Sequence, residues 1–239
     1  MLKLTVLFAL FGCGLLATVL PSYLEPCQIS DKKCLTDHAQ SVLKSILNGD
    51  PQFKIPTLNP LLLPKVDLSS NGGLHIVFSN LQVKGIPDIK ITSVEFNPVK
   101  KSGKVVFFYP RTELYGDYMA YGKILVLTIN ASDIASVVVE EGLYTWTFNY
   151  DLYDKNGAQY AKIKDHCTQF KLKKAKFDLK NVVNGNAELS AATNKILNDE
   201  WETVIKDLAD GIGEAIGSVL NLILQAFMDK LLFSELVKL

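Results

Sequence analysis

The chain has 239 residues, 48% of them apolar, enough for one large domain or two small ones around a sizeable core. Lys plus Arg equal Asp plus Glu at 25 each. That balance argues against a nucleic-acid partner, which needs a basic surface, and gives no general attraction to anionic membranes. No repeat and no low-complexity tract interrupts the sequence.

The N-terminus reads as a secretory signal. Lys3 supplies a positive start, an apolar run follows from Leu4 to Leu20, and Gly12, Gly14 and Ala17 are the small residues near its end. The competing reading is an uncleaved membrane anchor. The run is only about 17 residues, at the short limit for a span, so no transmembrane anchor is expected. Cleavage falls between Ala17 and Ser22, giving a signal over 1–20 and a single domain over 21–239. Asn130-Ala131-Ser132 is the one Asn-x-Ser/Thr sequon, which makes Asn130 a glycosylation candidate in a secreted chain. Cys13 leaves with the signal. Cys27 and Cys34 flank a short polar segment and close a small loop in an oxidising compartment. A metal site is the alternative, but it needs two more ligands and only His38 is near. Cys167 is then the odd thiol, either a small buried hydrophobe or an intermolecular link.

Leu35 to Leu47 has helical spacing and ends at Asn48-Gly49-Asp50-Pro51. The next segment, Phe53 to Pro64, carries three prolines, which exclude a helix or a central strand and leave an extended apolar strap. Strands are expected over Leu74–Phe78, Leu81–Lys84, Ile89–Phe96, Lys104–Tyr109, Leu114–Tyr121, Gly122–Ile129 and Ala135–Val139. Leu143 to Tyr153 alternates most clearly, with Tyr144, Trp146, Phe148, Tyr150 and Leu152 on one face. Asp154-Lys155-Asn156-Gly157 predicts a hairpin turn into Gln159–Ile163. Phe170–Leu179 carries Lys on both faces and reads as an edge strand.

From about Leu189 to the C-terminus, apolar residues recur at steps of three and four, and no proline follows Pro110. A continuous helix of about 40 residues would run about 60 Å, so something equally long must cover its apolar face. The economical answer is an antiparallel sheet curled around it. Gly211, Gly213 and Gly217 interrupt the helix. Glycines there let a strand approach closely, permit a bend, or leave room for something that is not protein.

Catalytic constellations are missing from the sequence. His38, His75 and His166 are the only histidines, and His166 and Cys167, adjacent on a strand, face opposite ways. There is no Gly-x-Ser-x-Gly elbow, no His-Glu-x-x-His and no phosphate-cradling loop. An enzyme is not expected, nor a metal or cofactor. The positive signal is a surplus of large apolar and aromatic side chains, as lines a lipophilic cavity.

Four features resemble the insect Takeout and haemolymph juvenile hormone-binding protein family. They are Leu20-Pro-Ser-Tyr-Leu-Glu-Pro-Cys27 with Cys34, the strap Phe53-Lys-Ile-Pro-Thr-Leu-Asn-Pro-Leu61, the strand Phe78-Ser-Asn-Leu-Gln-Val-Lys-Gly85, and Tyr150 to Gly157. The resemblance implies an α+β fold in which a long C-terminal helix is wrapped by a strongly curved antiparallel sheet, the tubular lipid-binding (TULIP-like) architecture. It also implies a shared disulfide Cys27–Cys34 and a secreted, extracellular carrier of juvenile hormone or another lipophile, without catalysis. The second disulfide of the hormone carriers has one half here, Cys167, and no partner.

The expected function is therefore a secreted carrier that encloses a hydrophobic small molecule, a juvenile hormone-like terpenoid, fatty acid or other lipid. The competing class is a secreted interaction module with a filled core and a receptor or protein partner. Candidate lining residues are Trp146, Phe148 and Tyr150 from the aromatic strand and Ile212, Ile216, Leu220 and Phe227 from the helix; Ile55, Pro56, Leu58 and Leu62 of the strap are gate candidates.

Overall fold

The computed structural model describes residues 20–69 and 73–238; the expected signal over 1–20 lies, but for Leu20, outside them. Its elements are β1 (Cys27–Gln28), α1 (Lys32–Ser45), β2 (Leu61–Ser69), β3 (His75–Lys84), β4 (Lys90–Asn97), β5 (Ser102–Ile124), β6 (Leu127–Lys155), β7 (Ala158–Leu179), α2 (Ala187–Asp199), α3 (Trp201–Asp207), α4 (Ala209–Met228), α5 (Phe233–Leu236) and β8 (Val237–Lys238). The main sheet is antiparallel in the order β2-β3-β5-β6-β7, with β4 paired to the first half of β5. β5, β6 and β7 are several times the usual strand length and curl around the C-terminal helices. A short parallel pair, β1 with β8, ties the two ends together beside the Cys27–Cys34 disulfide.

The long strands absorb pairs of expected short ones. Lys104–Tyr109 and Leu114–Tyr121 are one strand, β5, running through Pro110. Pro110 has no N–H to give, and the ladder skips it: Tyr109 pairs with Gly142 and Arg111 with Glu140. The same row continues into β7, where Leu172 and Lys174 are paired and Lys173 is passed over. Glu141 has φ +50° here and meets Lys173 at 2.5 Å. Across this row all three strands change phase. Inward residues run Phe107, Tyr109, then Thr112 on β5; Val137, Val139, then Tyr144 on β6; and Leu172, then Ala175, Phe177 on β7. The shift corrects the sequence reading of the last strand. Lys171, Lys173, Lys174 and Lys176 are all exposed, while its apolar residues all face inward.

Two further expectations change. Gly122–Ile129 is not a strand but the hairpin joining β5 to β6, turning at Leu125-Val126 without any of the usual turn residues. The C-terminal helix is not continuous: it breaks at Glu200 and at Leu208, so three helices follow the curvature of the sheet. The Asn156-Gly157 turn forms as its residues predict, with φ +54° and +77°.

β7 ends the sheet, and helices α2 and α4 seal its free edge with amide side chains. The Leu179 amide donates to Asn194 Oδ1 (2.9 Å) and Asn194 Nδ2 donates back to the Leu179 carbonyl (2.8 Å). Asn198 does the same for Phe177 at 2.7 and 2.8 Å. Gln225 Oε1 accepts from the Ile163 amide at 2.8 Å. A helix thus stands in for a missing strand. Between these clamps the glycines of α4 permit contact. A Cβ on Gly213 would lie 2.6 Å from the Thr168 carbonyl oxygen, and one on Gly217 would lie 2.4 Å from His166 Nδ1. Close approach of a strand is therefore their role. By length and composition α4 is apolar enough to cross a membrane; here Ile212, Ile216, Val219, Leu220 and Ile223 face the cavity under the sheet, while Leu222 is exposed.

Candidate functional site: an internal apolar cavity

Inside the curve of the sheet lies a cavity of about 300 Å³. Its walls are the inward residues of β2, β3, β5, β6 and β7, and its floor is the cavity-facing side of α3 and α4. The lining is aliphatic for most of its length. Residues with small or branched side chains, such as Val66, Ala120, Val137, Val139 and Ala215, do not reach far enough to meet across the tube.

Among the described residues, Tyr109, Thr112 and Tyr144 are the lining side chains that carry a polar atom. All three flank the phase shift at Pro110 and Glu141. Gly142 makes room for the Tyr144 ring: a Cβ there would lie 2.7 Å from the Tyr144 hydroxyl. The ring stacks on Phe107 at 5.0 Å. Tyr109 donates its hydroxyl to the Lys84 carbonyl at 2.8 Å. The Thr112 hydroxyl lies near enough to both phenols to ease their ionisation slightly, yet it is buried and makes no well-formed bond to the protein. Burial dominates: it raises the Tyr109 pKa well above a phenol's usual value and pushes Tyr144 up to about 12. Both phenols are therefore neutral at physiological pH. With Thr112 they offer a hydrogen-bonding spot in a hydrocarbon surround, and among the described residues no charged side chain lines the cavity.

The helix residues named from sequence, Ile212, Ile216 and Leu220, border this cavity. Trp146, Phe148 and Tyr150 do not. They fill the other part of the tube, packing with Met228, Phe233 and Val94. Trp146 and Phe148 are 4.5 Å apart, Tyr150 and Phe233 5.5 Å. Phe227 packs on Phe53 at 4.7 Å, at the boundary between the two parts. Of the strap, Leu58 reaches the cavity, Ile55 is buried against the Phe53 cluster, and Pro56 and Leu62 are exposed. The strap continues into β2, whose Leu61 and Leu63 also line the cavity. Tyr109, Thr112 and Leu63 were not singled out from sequence. Thr112 was illegible because its inward position depends on the phase shift at Pro110.

His166 packs against Gly217, while Cys167 points outward and is exposed. Among the described residues, no group of three or more His, Cys, Asp or Glu is placed to hold a metal ion. Asn130 is exposed on the outer face, opposite Tyr121.

A strongly curved antiparallel sheet wrapped on C-terminal helices, with an apolar cavity between them, defines a TULIP-like protein. The chain belongs to the haemolymph juvenile hormone binding protein family, whose model matches residues 6–238. It is 27% identical over 229 residues to the circadian clock-controlled protein daywake of Drosophila melanogaster, covering 90% of this chain and 87% of that one. A juvenile hormone-binding protein of Manduca sexta is 28% identical over 80 residues, 33% of this chain and 35% of that one. Among solved structures, Takeout 1 of Epiphyas postvittana superposes with a TM-score of 0.80 at 25% identity, over 90% of this chain and all of that one.

Proposed function

We propose that this protein is a secreted carrier that encloses one hydrophobic small molecule in the cavity. The observation that carries the reading is the cavity itself: about 300 Å³ of space bordered by hydrocarbon, with a single neutral polar spot. Filling a cavity of that size with hydrocarbon is worth about 7 kcal/mol at 24 cal/mol per Å³. That gain is comparable to the whole stability of a typical domain, so an apolar occupant changes the protein measurably.

The ligand class follows from the lining. The molecule is elongated and apolar, with one uncharged hydrogen-bonding group such as an alcohol, ester or ketone. A carboxylate is disfavoured, because among the described residues no cation lines the cavity to replace its lost hydration. Tyr144 and Thr112 hold the polar group, and Ile212, Ile216 and Leu220 contact the chain. Trp146, Phe148, Tyr150 and Phe227 act as the stop that sets its length. The strap is the gate, with Leu58 as its inner face. The juvenile hormone-binding relative in Manduca sexta supports a juvenile hormone-like terpenoid as one member of this class. Secretion is supported by the N-terminal apolar run and by a Cys27–Cys34 disulfide, which persists in an oxidising compartment.

The test is titration with a fluorescent fatty alcohol and its matching fatty acid. The alcohol is expected to bind about tenfold more tightly or better at neutral pH, from one unpaired buried charge avoided. Equal affinity for both, or no saturable binding of either, would contradict the proposal.

A further inference from the structure

The hairpin joining β5 to β6 breaks a local rule that its neighbour obeys. The β6–β7 turn uses Asn156-Gly157, residues that accept positive φ easily. The β5–β6 turn uses Leu125-Val126, with Leu125 at φ +53°. Among the described non-glycine residues with positive φ, namely Lys54, Asn80, Lys101, Leu125, Glu141, Asn156 and Asn181, only Leu125 is apolar. Packing does not account for the pair: Val126 is 93% exposed, and Leu125 keeps 36% of its surface in solvent. A sequence that accepts both strain and exposed hydrocarbon at one tip departs from folding logic where function is expected.

What lies behind the tip indicates its occupant. Lys123 is exposed next to it, and Tyr121, 49% exposed, stacks on His75 with ring centres 4.9 Å apart. At roughly 3.3 Å per residue, Tyr121 sits about 13 Å behind Leu125. Hydrocarbon at the front, then a lysine on a long stem, then an amphipathic ring is the layering of a segment seated in a bilayer interface. The inner side of the same hairpin, Ile124 and Ile129, borders the cavity. We propose that the Leu125-Val126 tip docks on a lipid bilayer surface and keeps the carrier there while a lipophile is exchanged with the membrane. The exchange rests on the carrier reading; the docking does not. Because the chain's charges balance, the contact is made through apolar burial and works on uncharged lipid with little dependence on salt.

Val99 supplies an internal control. It is 90% exposed but stands alone in the β4–β5 turn, between Pro98 and Lys100, as isolated surface apolar residues commonly do. Wild type, Val126→Asp, Val99→Asp and the double variant Leu125→Asn/Val126→Gly are compared in two measurements. The first is co-flotation with phosphatidylcholine vesicles. The second is the uptake rate of a fluorescent fatty alcohol, delivered either from those vesicles or from a soluble cyclodextrin complex. Val126→Asp and the double variant are expected to lose flotation and to take up alcohol from vesicles about tenfold more slowly or worse, with uptake from cyclodextrin unchanged. Val99→Asp is expected to match wild type. The double variant, with Asn at the positive-φ position, is expected to melt no lower than wild type while docking less.

Flotation and vesicle uptake equal in wild type and Val126→Asp would overturn the docking. So would a wild-type dimer in sedimentation that Val126→Asp dissociates, with no flotation; the tip would then be a self-association surface. Flotation lost in Val126→Asp, with no uptake by wild type from either source, would support docking and overturn the carrier reading.

Discussion

The two parts of the tube share the same long strands and the same helix, yet one is packed and the other hollow. In the packed part, Trp146, Phe148 and Tyr150 on β6 meet Phe96 of the same sheet, over Gly103, and Met228 and Phe233 across the tube, and their side chains close the space. In the hollow part the same strand carries Val137, Val139 and Tyr144, and the helix answers with Ile212, Ala215 and Ile216. Side-chain reach at facing positions, not total hydrophobicity, decides which part has room. The aromatic row therefore marks where the cavity stops, although in sequence it is the most conspicuous apolar feature.

Substitutions separate the two parts, and the largest effect is expected in the packed one. Trp146→Ala removes a ring from a filled core and is expected to destabilise by about 3–5 kcal/mol while leaving affinity nearly unchanged for a ligand short enough to end before the aromatic row. Denaturant melts with and without a bound fatty alcohol check both halves of that statement. Reversed behaviour, with weak destabilisation and strong loss of binding, would move the site to the aromatic row.

The next effect is one of pH. Tyr144 titrates near 12 in the folded chain and near 10 when unfolded, because burial disfavours the phenolate. A raised pKa stabilises the fold fully below pH 10 and loses that contribution as pH rises towards 12. The difference amounts to about 2–3 kcal/mol at most. Wild type should therefore lose more stability than Tyr144→Phe between pH 10 and 12; parallel profiles would show that the hydroxyl is wetter than its position indicates.

In the hollow part, Ile212→Phe is expected to change stability by less than about 1 kcal/mol, since the added volume has somewhere to go, and to weaken binding of a long ligand about tenfold or more. A Phe that destabilised as overpacked cores do, by about 1–3 kcal/mol, would mean the cavity is not large enough to hold a ligand. Thr112→Val, of nearly the same shape, is expected to weaken an alcohol or ester by about 1 kcal/mol and a pure hydrocarbon not at all. The smallest effect is on kinetics. Pro56→Gly loosens the strap and is expected to speed ligand dissociation with little change in stability; an unaltered dissociation rate would remove the strap as the gate.

Much of this architecture was legible in the sequence. Alternation on the aromatic strand, the Asn156-Gly157 turn, the short helix that closes before the Asn48-Gly49 turn and the amphipathic C-terminus each act through near neighbours, and periodicity records such effects. The curl of the sheet and the Cys27–Cys34 loop were read from the residues themselves, and the resemblance implied both as well. The passage of β5 through Pro110 could not be read locally, because a proline is tolerated there only where two partner strands skip the same row. The inward turn of Thr112 and the one-sided lysines of β7 follow from that row. The breaks at Glu200 and Leu208 also escaped, since each flanking helix is fully compatible with continuation and only the curvature of the sheet requires a bend. Ile212, Ile216 and Leu220 were placed at the cavity because a helix stripe must face the sheet. Trp146, Phe148 and Tyr150 were expected there too, since pattern shows which way a side chain points but not how far across the tube its partner reaches.

The most direct measurement is native mass spectrometry of the protein secreted from insect cells, followed by organic extraction of whatever is released on denaturation. The account predicts a single added mass of one lipophile per chain, lost on denaturation, uncharged and with one polar group. A mass equal to the bare or glycosylated chain, together with no uptake of a fluorescent fatty alcohol, would contradict it.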